Sequence, residues 1–456
     1  MALAVGLVIL IGLTACRENT LPTTAVVVTE QATPVVVTVI ATEQATPTAT
    51  AIATEQEPTA TPAEIEPAPT ATPTTRPGYF SRDELIEDAR QLAQLLESAH
   101  PDPYIRGGGR IAFHRRLQRL LNAIPEGGMT RDEFVRLLRP FIAAVGDAHT
   151  DIWDDYRVSD NTPGGVPLRF DIVGQSLYVS GAPDKEDSDL IGALLVSVEG
   201  VGLAELCERQ RQVQGTENEY HVLQLLAHQS LWYKPFLEEL LPEWEDDSRV
   251  SVELQLPGGE VQELAFDLPQ RMHRLHTSES QVALPSTDDS GFLYDFLDDE
   301  REIAYLRVDH MVGYREHHEA QAAAGAESST EETRARIPSA TETFRSLVVD
   351  MEQAGTDSSG FTLAKYLYLA GTTLVGASSG QAANSFGNGQ LWRLDHTGVH
   401  GSISSSYSVE FPDGSELARV LPVHYPLTYE RLASYDFDPN AEYLYALELL
   451  PELEGQ

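Results

Sequence analysis

Two residues stand out as able to do chemistry, a serine and a histidine. Ser358 lies in "RSLVVDMEQAGTDSSGFTLAKYLYLAG", which runs from Arg345 to Gly371 and reads as a short apolar strand, a polar turn and a helix opening on two serines. A serine at the mouth of a helix, after a buried strand, is where a hydrolytic nucleophile can be held beside its base. The same position suits an ordinary helix N-cap. His149 stands in "AAVGDAHTDIWDD", just past a helical pattern, in a Gly-Asp-Ala-His-Thr turn. There an imidazole is exposed yet oriented, as a general base requires. The alternative is that Asp147 and Thr150 cap the turn while His149 faces water. Lysine is scarce: Lys185, Lys234 and Lys365 are the whole set. Lys365 falls two helical turns after Ser358, too far to take its proton directly.

These residues need elements to hold them. At 456 residues the chain has room for about two to three domains. From Tyr79 a helical segment begins, with Ser81 and Glu84 in capping-box spacing, and Leu85, Ala89, Leu92, Leu96 and Ala99 at helical intervals. Phe113, Leu117, Leu120, Leu121 and Ile124 mark a second helix. A third opens on the box Thr130 with Glu133 and runs to Gly146. From about Val166 the pattern turns to strands, with a hairpin around Pro257-Gly258-Gly259 and a Leu- and His-rich helical insertion at about Glu217 to Leu241. Beyond Arg301, "REIAYLRVDHM", "RSLVVDM", "TTLVGAS" and "QLWRLDH" predict the strands of an α/β sheet.

The net charge of −39 excludes nucleic acid and an anionic membrane face as partners, since both repel the chain. Residues 17–77 are rich in Thr, Ala, Pro, Val and Glu, with "TEQATP" at Thr29 and Thr42. Such a segment buries too little apolar surface to offset its chain entropy, so an extended, disordered stalk is expected. Cys207 reads as a lone thiol on an apolar helix face. Before the stalk, "AVGLVILIGLTAC" is apolar, too short to span a bilayer, and ends in small residues and Cys16. It resembles a bacterial lipoprotein signal with "LTAC" as its lipobox, although no Lys or Arg precedes the run. The resemblance implies cleavage before Cys16, lipid on its sulfur, and an extracytoplasmic chain anchored to the cell membrane.

"LLESAHPDPY" followed by "MTRDEFVRLLRPFIAAVGDAHTDI" resembles the helical entry of the tail-specific (C-terminal processing) serine peptidases, which show "HPDPY" and then "LGDGHT" at this distance. The likeness continues through "REIAYLRV" and "RSLVVDM" to "TTLVGASSGQAANSFG", in the family's order. "LLVSVEGVGLAEL" with "VSVELQLPGG" resembles two strands of a PDZ-type domain. The resemblance implies a helical bundle over 78–158, a PDZ-like β module over 159–270 and an α/β domain of ClpP/crotonase-like type over 271–456. Within that family the missing downstream lysine excludes the Ser-Lys dyad branch. The tricorn-core-like branch implies a triad of Ser358 as nucleophile, His149 as base and Glu416 as the carboxylate that orients the imidazole. It also implies Gly355 and Gly360 at the oxyanion turn, a peptide or unfolded-protein substrate, and no metal or cofactor.

A second alignment stays open. The family places about forty residues between its "DLRxNxGG" turn and the serine, and here the two are fused. Ser358 is then a capping residue of a degenerate, peptide-binding protein. Glu352 in place of the family's arginine, the eroded Gln353-Ala354-Gly355-Thr356, and Phe361 in place of an acidic residue favour that version.

Overall fold

A computed structural model describes residues 6–11, 78–153, 162–245, 248–272, 275–282, 292–296, 304–308, 346–351, 358–369 and 371–453. Cys16, Gly355, Glu352 and the expected stalk lie outside the described residues.

Both capping boxes form as the spacing predicts. Helix α1 (Arg82–Ala99) starts at Ser81, whose hydroxyl accepts the Glu84 N–H while Glu84 reaches back to the Ser81 backbone. Helix α3 (Arg131–Ala143) repeats the arrangement with Thr130 and Glu133. Each box stabilises its helix start by about 1 kcal/mol. Between them runs α2 (Gly109–Ala123). The three helices bury Leu85, Leu92, Leu96, Phe113, Phe134 and Leu138 in one core, and Trp392, Leu394, Val399 and Ile403 complete it from a distant hairpin. The helical segment therefore shares its core with residues some 250 positions downstream on the chain, which ties that hairpin to the end of α3.

A second core lies under a five-stranded antiparallel sheet, in the order Val261–Asp267, Arg249–Gln255, Leu194–Val198, Ser176–Gly181, Arg169–Val173. The strands flanking Pro257-Gly258-Gly259 pair antiparallel with Val252 opposite Leu264. Helices α4 (Leu203–Val213), α5 (Glu219–Leu225) and α6 (Lys234–Leu240) pack on this core, with a π-helical turn over Leu226–Ser230. Cys207 is half-buried on α4, where burial pushes its thiol up.

The third unit is a six-stranded sheet ordered Phe292–Phe296, Ala304–Val308, Gly6–Ile11, Ser346–Met351, Thr373–Gly376, Tyr425–Pro426. Its first pair is antiparallel and the rest are parallel. Helix α7 (Ser358–Leu369) packs on Ser346–Met351, and the C-terminal helix Ala441–Leu453 covers Gly6–Ile11, Ser346–Met351 and Thr373–Gly376. One expectation shifts here. "QLWRLDH" does not join this sheet. It belongs to the hairpin of Ser385–Arg393 with His400–Ser408, to which Asp151–Ile152 adds a third antiparallel strand. The physical reason is the connection: Leu394 to Val399 is a tight turn, and parallel pairing needs a crossover of a dozen residues or more. At the N-terminus Gly6–Ile11, within the run that resembles a lipoprotein leader, forms a strand of this sheet. A short run such as "GLVILI" fits a leader or a buried parallel strand equally well by pattern. Among the described residues no helix is long and apolar enough to cross a membrane.

Candidate active site

The histidine turn is built where α3 ends. Gly146 breaks the helix at φ +74°, and a Cβ there would lie 2.9 Å from Arg106 Cβ, so only glycine suits both the backbone and the close approach. The next residue, Asp147, is buried and organises the turn. Its Oδ1 accepts the His149 N–H at 2.9 Å, and its Oδ2 accepts the Thr150 hydroxyl. His100 Nε2 lies 3.3 Å from that same Oδ2. The Asp102 N–H donates to His100 Nδ1 at 3.1 Å, so the His100 proton sits on Nε2 and is given to Asp147. The "HPDPY" and "GDAHT" motifs are thereby one device: the first supplies the buttress of the second.

Other segments close around it. Ser402 Oγ donates to the His149 carbonyl at 2.7 Å, and the Ser404 N–H to Thr150 Oγ1 at 3.0 Å. Gly215 passes so near that a Cβ would stand 2.4 Å from the Asp147 carbonyl oxygen. This close passage brings in Glu217, which is buried and accepts the Ala382 N–H at 2.7 Å. Arg106 donates to the carbonyls of Gly146 (2.8 Å) and Asn384 (3.0 Å), stacks on Phe386, and reaches within 3.8 Å of Glu217 Oε1.

His149 itself stays lightly held. Its side chain is 19% exposed, and Nδ1 lies 3.9 Å from Asp147 Oδ1, too long for a hydrogen bond. That nitrogen is buried without a hydrogen-bond partner. One ligating atom from each of Asp147, His149 and Glu217 falls within 4.8 Å of the others. Burial alone would raise the Asp147 carboxyl, but hydrogen bonds from His100, Ser404 and Thr150 and the nearby His149 bring it down to about 2. An ionised carboxylate beside an imidazole favours the imidazolium that a base becomes. Four residues on, burial pushes the Asp151 carboxyl up to about 6, against the opposing pull of Arg139.

Of the residues expected from sequence, His149 occupies the turn just described. Ser358 is the first residue of α7, and Gly360 lies in that helix's first turn. Glu416 is exposed and opens a short helical turn, Glu416–Arg419, capped by Ser415. Among the described residues no hydrogen bond or ion pair joins Glu416 to His149; the carboxylates beside the imidazole are Asp147 and Glu217. The Glu416 turn nevertheless abuts the site, since Ala418 accepts the Asn384 N–H and Arg419 accepts the Asn218 side chain. Lys365 is buried and paired with Glu410 Oε1 at 3.2 Å, so its charge is already committed to a carboxylate. Reading by sequence did not pick out Arg106, His100 as a buttress, or Glu217. The quoted "HPDPY" was the signal for His100. Nothing local marks Glu217, which arrives through the fold.

No protein-family model matches the sequence, and no curated protein matches it. Among solved structures the chain is similar to mature CPAF, at 10% identity and a TM-score of 0.49, covering 82% of this chain and 97% of that one. It is also similar to mature CPAF complexed with lactacystin, at 11% identity and a TM-score of 0.49, covering 82% and 98%. At such identity no residue role carries over from those proteins.

Proposed function

We propose that the protein is a serine-type peptidase of the tail-specific class, acting on peptides or unfolded proteins outside the cytoplasm. Ser358 attacks the scissile carbonyl, and His149 takes the hydroxyl proton and returns it to the leaving amine. The observation that carries this reading is the partly exposed His149, its backbone pinned by the buried, ionised Asp147 and one ring nitrogen uncommitted. Position supports Ser358: it opens α7, the next described element after a parallel strand of the sheet. The ion pair of Lys365 with Glu410 supports histidine rather than lysine as the base. Glu416 serves as the orienting carboxylate by resemblance, and by position Asp147 supplies the nearer negative charge.

The chain is lipid-anchored through Cys16 in this reading. Cleavage before Cys16 would remove Gly6–Ile11, the strand that pairs in parallel with Ala304–Val308 and Ser346–Met351.

The test is labelling with a fluorophosphonate, which reacts with an activated serine. The wild type should be labelled and turn over an unfolded protein substrate, and Ser358→Ala should do neither. A wild type that binds peptide but is neither labelled nor active points instead to a non-catalytic binding protein.

A further inference from the structure

We propose that Asp147, His149 and Glu217 form a binding site for one divalent transition-metal ion, with Zn²⁺ as the best match. The donor set is an imidazole and two carboxylates, the ligand types that suit zinc and its neighbours in the first row. Their positions suit it too. One ligating atom of each residue lies within 4.8 Å of the others, and His149 Nδ1 is 3.9 Å from Asp147 Oδ1. An ion making bonds of about 2.0–2.2 Å can bridge the 3.9 Å pair of His149 Nδ1 and Asp147 Oδ1.

Two further observations distinguish this group from a chance meeting of acids. The first is the buried Nδ1 of His149, which has no hydrogen-bond partner although it sits among polar groups. The second is the support behind the carboxylates. Thr150 and His100 hold Asp147 Oδ2, the His149 N–H holds Asp147 Oδ1, and the Ala382 N–H holds Glu217 Oε2, so both carboxylates are fixed in place by hydrogen bonds. Outer hydrogen bonds of this kind orient metal ligands. Asp147 and Glu217 are buried while His149 is partly exposed, which gives the cluster an entry side.

Arg106 opposes the ion, its guanidinium 3.8 Å from Glu217 Oε1. That charge opposes any divalent ion alike, and the small number of oxygens disfavours Ca²⁺ and Mg²⁺, which take six or more oxygen ligands. The selectivity is therefore for an imidazole-binding ion. An imidazole held by a cation cannot become an imidazolium, so the bound ion inhibits general-base chemistry at His149. That consequence rests on the peptidase reading; the binding does not.

The experiment is a titration of the full, untagged, chelator-treated chain with Co²⁺, read by visible d–d absorption, followed by displacement with Zn²⁺. One equivalent should bind, and His149→Ala and Glu217→Gln should each weaken binding by about 10-fold or more. His228→Ala, which removes a histidine paired with a different buried aspartate, should leave it unchanged. Circular dichroism checks that the variants fold. Absence of stoichiometric binding in the wild type, or equal binding by His149→Ala, overturns the site. Binding without inhibition of a demonstrated activity leaves the site standing and removes His149 as the base.

Discussion

Two buried aspartates among the described residues each lie beside a partly exposed histidine, and they are spent differently. At the end of α3, Asp147 is saturated by His100, Thr150 and the backbone of residue 149, and His149 is left 3.9 Å away with an idle ring nitrogen. In the antiparallel sheet, Asp171 is buried too, and there the His228 ring at 3.3 Å and the Arg169 guanidinium at 3.7 Å contact it directly. His228 sits on the π-helical turn and, with Arg169, Trp232 and Tyr233, lines a cavity of about 500 Å³. Both pairs look alike on the sequence as an Asp and a His. What separates them is whether the carboxylate needs the histidine. Where the scaffold satisfies the acid, the imidazole is free for a proton or an ion.

The largest expected effect comes from that difference. His149→Ala should lower peptide hydrolysis by roughly 10³-fold or more, as removal of a general base does. His228→Ala should stay within about twofold, because His228 pairs with Asp171 of the antiparallel sheet and not with Asp147. Steady-state kinetics on one unfolded substrate decides it, and equal losses break the comparison.

Stability should divide in the same way. Asp147→Ala strands three donors in a buried turn and should cost about 3–5 kcal/mol, read from the urea midpoint. Asp171→Ala should cost about 1 kcal/mol, since Arg169 and His228 are half-exposed or nearly so and can turn to water. Gly215→Ala, whose methyl meets the Asp147 carbonyl, tests the close passage beside the site; about 1–3 kcal/mol is expected. Melting of that variant unchanged from wild type would show that the passage places no demand on residue 215.

The smallest effect is in acid. Burial tends to raise the Asp171 carboxyl, but His228 and Arg169 bring it below the usual range. A carboxyl depressed in the folded state stabilises above its unfolded value, about 3.9, and that stability is lost as pH falls below it. Asp171→Asn should therefore flatten the acid side of the stability profile below about pH 4. Equal acid slopes for the variant and the wild type would show that the pair does not hold the charge.

Local chemistry was the legible part of the sequence. The capping boxes at Ser81 and Thr130 name their helices because a cap is satisfied within three residues. The hairpin around Pro257-Gly258-Gly259 was legible for the same reason. His149 could be singled out by its turn, which Asp147 closes two residues away. The share of the helical core supplied by Trp392 and Ile403 could not be read, nor could the arrival of Glu217 beside His149. Those contacts join segments far apart on the chain, and no periodicity records them. "QLWRLDH" misled because a strand's sequence reports its burial and not its partner; the short turn after it chose the hairpin. Glu416 was matched by resemblance, and its surroundings show an exposed helical start beside the site.

The most direct measurement is to locate the fluorophosphonate adduct by peptide mass spectrometry and compare its rate in three proteins. Expected are an adduct on Ser358 in the wild type, a rate lowered roughly 10³-fold or more in His149→Ala, and an unchanged rate in His228→Ala. An adduct on another serine, or labelling of Ser358 that is indifferent to His149, would contradict the pairing of this serine with this histidine.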